Sequence, residues 1–140
     1  MEMNSILIID DDLAVRTSLK LLFRENGFHT TDADDPESAK NSLLSNPVDL
    51  ILMDMNYSLE TTGVEGLKLL EEIKKSHAHI PVILITAWGS IPLAVEGMKL
   101  GAVDFINKPW NNHHLIQSVS TALKISKFEK GPQKSSRTKL

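Results

Sequence analysis

The sequence predicts a doubly wound α/β fold built on one five-stranded parallel sheet. Three observations point to it. Short, almost wholly apolar runs recur along the chain, such as Ile6-Leu7-Ile8-Ile9, Leu50-Ile51-Leu52-Met53 and Val82-Ile83-Leu84-Ile85. Runs of that kind are strands buried on both faces, the mark of a sheet with helices on each side. Between them lie segments whose apolar residues repeat at helical spacing, and one strand and one helix recur about every 20–25 residues.

The elements follow in order. Ser5 to Ile9 is the first strand, ending in Asp10-Asp11-Asp12. Val15, Leu19, Leu22 and Phe23 form one helical face, which Asn26-Gly27 stops. Phe28 to Ala33 is a more polar strand, expected towards a sheet edge. Asp35 followed by Pro36 opens the second helix, which runs to about Ser45 before Asn46-Pro47 breaks it. Val48 to Asp54 is the central strand. A polar loop from Met55 to Gly63 leads into a helix carrying Val64, Leu67, Leu70 and Ile73 on one face. Ile80 to Thr86 is the fourth strand, with Pro81 tolerated at its start. Ser90 and Pro92 open a short helix that ends at Leu100-Gly101. Val103 to Asn107 is the fifth strand. The last helix is expected from about Asn111 to Lys127, with Leu115, Val119, Ala122 and Leu123 inward. Five such units favour the flavodoxin-like strand order 2-1-3-4-5, which brings the ends of strands 1, 3, 4 and 5 to one crevice.

With 140 residues, 41% of them hydrophobic and 24% charged, the chain fits one soluble domain. It has no cysteine, which removes disulfides, thiolate metal sites and cysteine nucleophiles. No apolar run approaches a membrane span and no signal peptide is visible, so the cytoplasm is the expected location. The net charge of −3 is unevenly spread. From Lys127 onward five Lys or Arg face Glu129 alone, so the body is acidic and is not expected to bind nucleic acid directly. Residues 1–127 are read as the domain, and 128–140 as a basic flexible tail or interdomain linker. The five histidines (29, 77, 79, 113 and 114) are scattered and read as solvated side chains.

The strand ends carry the chemistry. Asp10 and Asp11 end strand 1, Asp54 ends strand 3, Thr86-Ala87 end strand 4, and Lys108-Pro109 follow strand 5. Three carboxylates at one edge repel each other unless a cation joins them. Hard oxygen ligands at that density suit Mg²⁺, which also accepts phosphate oxygens. A hydroxyl and an ammonium opposite supply donors for an anion. Together they describe a phosphoryl site in which a carboxylate attacks phosphorus. Asp12 better fits the cap of the first helix than the metal cluster.

These four signals, in order and each at a strand end, closely resemble the response-regulator receiver domain of two-component signalling. The resemblance runs from residue 5 to about residue 127. It implies that Asp54 accepts a phosphoryl group from a sensor histidine kinase. It implies Mg²⁺ (or Mn²⁺) on Asp11, Asp54 and the Asn56 backbone carbonyl, with Asp10 acting through water. Thr86, the Ala87 N–H and Lys108 would contact the phosphoryl oxygens, and the Lys108-Pro109 bond would be cis. Asp54 and Lys108 would be the catalytic pair of an otherwise non-enzymatic switch, active only on its own phosphorylation and dephosphorylation. Phe105 stands where the family has a switch aromatic, although burial in the core is the simpler expectation. Phosphorylation would bias the face of helix 4, strand 5 and helix 5 towards an output or a homodimer.

The chain departs from the family pattern after Asp54. Met55 to Gly63 contains no proline, and Glu65-Gly66 arrives about four residues later than in most receivers. This longer loop, with Thr86-Ala87-Trp88-Gly89 and Lys108-Pro109-Trp110, resembles receivers of enhancer-dependent (NtrC-type) transcription activators, which makes transcription the expected output. Trp88 would sit on the rim of the pocket and restrict water. One rival is a haloacid-dehalogenase-type phosphatase using Asp10-x-Asp12, although Ala14 breaks that pattern. The other is an unphosphorylated flavodoxin-like interaction module.

Overall fold

The computed structural model describes residues 3–55, 64–87 and 91–139. Five strands, β1 (Ser5–Ile9), β2 (His29–Ala33), β3 (Leu50–Asp54), β4 (Val82–Thr86) and β5 (Asp104–Asn107), form one sheet. The order is β2-β1-β3-β4-β5 and every pairing is parallel. The helices are α1 (Leu13–Glu25), α2 (Pro36–Ser45), α3 (Val64–Ser76), α4 (Ile91–Lys99) and α5 (Asn112–Lys139). The expected topology therefore holds, with the polar β2 at one edge.

Strand alternation divides the core into two layers. On one face Ile6, Ile8, Leu50, Leu52, Ile83, Ile85 and Ile106 pack with Leu19 and Phe23 of α1 and with Leu115, Val119 and Ala122 of α5. On the other, Leu7, Ile9, Ile51, Met53, Val82 and Leu84 pack with Ala39 and Leu43 of α2 and with Leu69, Leu70 and Ile73 of α3. β3 and β4 are buried along their whole length. Each buried Leu or Ile contributes about 1.5–3 kcal/mol of hydrophobic stabilisation, so the central strands are rigid supports for the groups at their ends.

The caps match the sequence. The Asp12 side chain accepts from the N–H groups of Ala14 and Val15, which commits it to the start of α1. Asp35 and Ser38 form a capping box at α2, with Pro36 in its first turn. Gly27 and Gly101 take positive φ after α1 and α4, where a side chain would be strained.

α5 differs from expectation. It continues to Lys139, whereas the sequence placed the helix end near Lys127, with a basic flexible tail or interdomain linker beyond. Gly131 and Pro132 lie inside the helix, although proline lacks the N–H that helix bonding uses and glycine is a weak helix former. Among the described residues, no helix is long and apolar enough to cross a membrane.

A polar tie fixes α1 to the edge strand. Arg16 Nε and Lys20 Nζ lie 2.9 and 3.2 Å from the two carboxylate oxygens of Asp32. Burial raises the Asp32 carboxyl, but hydrogen bonds and charge from Lys20 and Arg16 together outweigh it and hold Asp32 below the usual carboxylate range. A carboxyl lowered by folding contributes stability that is complete above its unfolded pKa and is lost as pH falls through the folded one. Asp32→Asn is therefore expected to cost about 1 kcal/mol at neutral pH, with the difference from wild type vanishing in acid. Denaturant melts across acid and neutral pH measure it.

Candidate functional site

The register of the parallel sheet assembles the site. Ile9 pairs with Met53, so Asp10 and Asp54 come side by side one step further along. Both carboxylates are almost wholly buried, each only 1% exposed. One oxygen each from Asp10, Asp11 and Asp54 lie within 4.8 Å of one another. Lys108, just past β5, brings Nζ to 3.5 Å from Asp54 Oδ1 and 3.8 Å from Asp10 Oδ2. Those distances give charge attraction without a short hydrogen bond. The Lys108-Pro109 peptide is cis, as expected.

Alternation explains which groups face each other. Asp10, Asp54 and Lys108 continue the rows of Ile8, Leu52 and Ile106, all on the α1/α5 side. Thr86 and Phe105 continue the opposite side. Thr86 is fully buried, and its hydroxyl donates to Asn107 Oδ1 at 3.0 Å. Phe105 is partly buried against the core layer that holds Leu84, in keeping with its simpler reading. Ala87, next along, is half-buried at the end of β4. The structure thus brings together Asp10, Asp11, Asp54 and Lys108, and holds the Thr86 hydroxyl apart on Asn107. Asn56, Trp88, Ser90 and the loop 56–63 lie outside the described residues.

The charge balance favours a divalent cation. Three carboxylates and one ammonium leave about two negative charges when all are ionised, and unit charges 4 Å apart interact by about 4 kcal/mol at an effective dielectric of about 20. Burial pushes the Asp10 carboxyl up, with Asp11 and Asp12 adding to the rise. The Asp12 N–H and Lys108 oppose it without cancelling it. Asp10 Oδ1 accepts from the Asp12 N–H at 2.9 Å, while Oδ2 is buried with no hydrogen-bond partner. A buried carboxylate oxygen without a donor is the group a hard cation or its water would satisfy. The all-oxygen donor set therefore fits Mg²⁺.

Two supports were not legible in the sequence. Arg16, besides holding Asp32, donates through Nη1 to the Asp10 backbone carbonyl at 2.8 Å. It ties α1 to the acidic strand end. Gly66 is needed for close approach: a Cβ there would lie 2.8 Å from the Met55 carbonyl oxygen and 3.2 Å from Met55 Cα. Both obstacles are backbone, so Gly66→Ala must displace the residue that follows Asp54. We expect a stability loss of about 1–3 kcal/mol and weaker Mg²⁺ binding, read from thermal melts with and without the ion.

Parallel topology, an acidic cluster at the carboxyl edge and a lysine across from it define a class of phosphoryl-dependent switch domains. A family model for the response regulator receiver domain matches residues 6–120, and the chain belongs to that family. It is 35% identical over 119 residues to the transcriptional regulatory protein FixJ of Bradyrhizobium diazoefficiens, covering 85% of this chain and 56% of that protein. It is 32% identical over 130 residues to a putative NtrX-like response regulator of Rickettsia bellii, covering 93% and 27%. Among solved structures, NtrX from Brucella abortus superposes with a TM-score of 0.87 at 32% identity, covering 95% of this chain and 29% of that one. A CheY-like receiver domain protein from Methanospirillum hungatei superposes at 0.83 with 26% identity, covering 91% and 99%. The chain thus spans about a quarter to about half of the curated relatives it matches. It is a receiver domain of two-component response regulators, homologous to transcriptional regulators.

Proposed function

We propose that Asp54 accepts a phosphoryl group from the phosphohistidine of a sensor kinase, and that this modification switches the domain. The observation that carries the proposal is the buried Asp54 carboxylate between the Asp10/Asp11 oxygens and the Lys108 ammonium. An Asp54 carboxylate oxygen attacks phosphorus, the O–P bond forms, and the N–P bond breaks with its electron pair leaving on the imidazole. Water later cleaves the acyl phosphate and returns the free carboxylate. Asp11, Asp54 and the Asn56 carbonyl would hold Mg²⁺, or Mn²⁺, directly, with Asp10 contributing through water. The bound ion would neutralise phosphoryl oxygens as charge builds in the transition state. Lys108 places a second cation on the same oxygens, and the Thr86 hydroxyl and Ala87 N–H complete their hydrogen bonds. The domain acts catalytically only on its own phosphorylation and dephosphorylation.

The modification draws Thr86 towards Asp54, with Phe105 following inward, and repacks the face made by α4, β5 and α5. Ile91, Val95 and Met98 leave an apolar stripe on α4, which suits a partner or a second copy of the domain. Transcription is the output in keeping with the relatives, α5 continuing as the connection to the rest of a regulator, with no direct contact to nucleic acid by the domain itself.

Incubation with acetyl phosphate is the test. The intact chain should gain one phosphoryl group when Mg²⁺ is present and none when a chelator removes it. Uptake that persists in chelator would refute the metal-assisted acceptor.

A further inference from the structure

We propose that Asn107 is the resting latch of the switch, a positioning residue that sets how readily Asp54 takes its phosphoryl group. This rests on the acceptor reading above and adds a residue to it. Thr86 and Asn107 are register partners across β4 and β5, so their side chains leave the sheet on one face. The Thr86 hydroxyl donates to Asn107 Oδ1 at 3.0 Å. A threonine hydroxyl has one hydrogen. While that hydrogen lies on Asn107, it cannot also lie on an oxygen carried by Asp54, whose side chain belongs to the opposite row.

The alternative partner is ruled out by chemistry. Phe105 sits two residues before Asn107 on the same face and has no hydrogen-bonding group, so it cannot hold the hydroxyl at either end of its movement. The backbone ladder does not need to change: the Lys108 N–H donates to the Thr86 carbonyl at 2.8 Å independently of both side chains. Opening the side-chain bond alone frees Thr86. Asn107 thus stabilises the resting arrangement, and every ligand that recruits the Thr86 hydroxyl competes with it.

Removing the acceptor shifts the equilibrium towards the recruited state by about fivefold, the weight of one ordinary hydrogen bond. The test titrates the chain with beryllofluoride in Mg²⁺, a stable mimic of the acyl phosphate, and follows tryptophan fluorescence. Asn107→Ala, and Asn107→Val which keeps strand preference, should each bind about fivefold more tightly than wild type. In a Thr86→Val background, Asn107→Ala should leave the affinity unchanged, a readout that a purely structural role would not move. Wild-type affinity in both Asn107 variants overturns the latch. So does an equal tightening with Thr86→Val present. Failure of the wild-type chain to bind beryllofluoride would instead overturn the acceptor reading, which separates the two claims.

Discussion

Asp54→Asn is expected to abolish phosphoryl uptake, by at least about a thousandfold, while leaving a folded domain. An amide oxygen has nearly the shape of a carboxylate oxygen, but it carries no formal negative charge and is a far poorer nucleophile. The substitution also removes one of three converging negative charges, so it relieves repulsion at a position that is 1% exposed. Metal-free stability should therefore hold or rise, since the charge it deletes is costly to bury. Phosphorylation assays with acetyl phosphate, run beside thermal melts, separate the two effects. Full uptake by a folded Asp54→Asn variant would place the acceptor elsewhere.

Lys108→Met should change three properties with signs fixed by charge. Its ammonium stands 3.5 and 3.8 Å from Asp54 and Asp10, the cation common to two buried carboxylates. Without it their repulsion is less offset, so metal-free stability should fall by about 1–3 kcal/mol. That is below the range for a fully buried pair, because the ammonium itself is 32% exposed. Mg²⁺ no longer competes with a resident cation, so its affinity should rise on the order of tenfold. Phosphoryl uptake should nevertheless slow by about 10–100-fold, since the charge opposite the transferring group is missing. The combination of tighter metal and slower chemistry distinguishes a transition-state contact from a ligand. Melts with and without Mg²⁺ and uptake rates measure all three.

The parts of this site that were legible in the sequence share one physical origin. A strand buried on both faces must be nearly all apolar, so the charged residue that ends the run stands out, as Asp10 and Asp54 do. Alternation and helical spacing gave the topology, and Asp12 fell correctly to the α1 cap. What was not legible depends on contacts between distant segments. Asn107 looks like an ordinary polar strand end until the β4–β5 register sets it opposite Thr86. Arg16 lies on a helix, and nothing in its spacing shows that it reaches the Asp10 carbonyl. Gly66 looked like a late family glycine. Its requirement appears only when α3 is seated against Met55. The length of α5 was not legible either: it runs on to Lys139 through Gly131 and Pro132, two residues that disfavour a helix.

Phosphoryl transfer is expected to fall on Asp54 and on no neighbouring carboxylate. Borohydride reduction of the acyl phosphate, followed by peptide mass mapping, locates the modified residue directly. The expected result is a reduced residue at position 54, seen only after treatment with a phosphodonor in Mg²⁺. Reduction at Asp10, Asp11 or Asp12, or at no aspartate, would contradict the account.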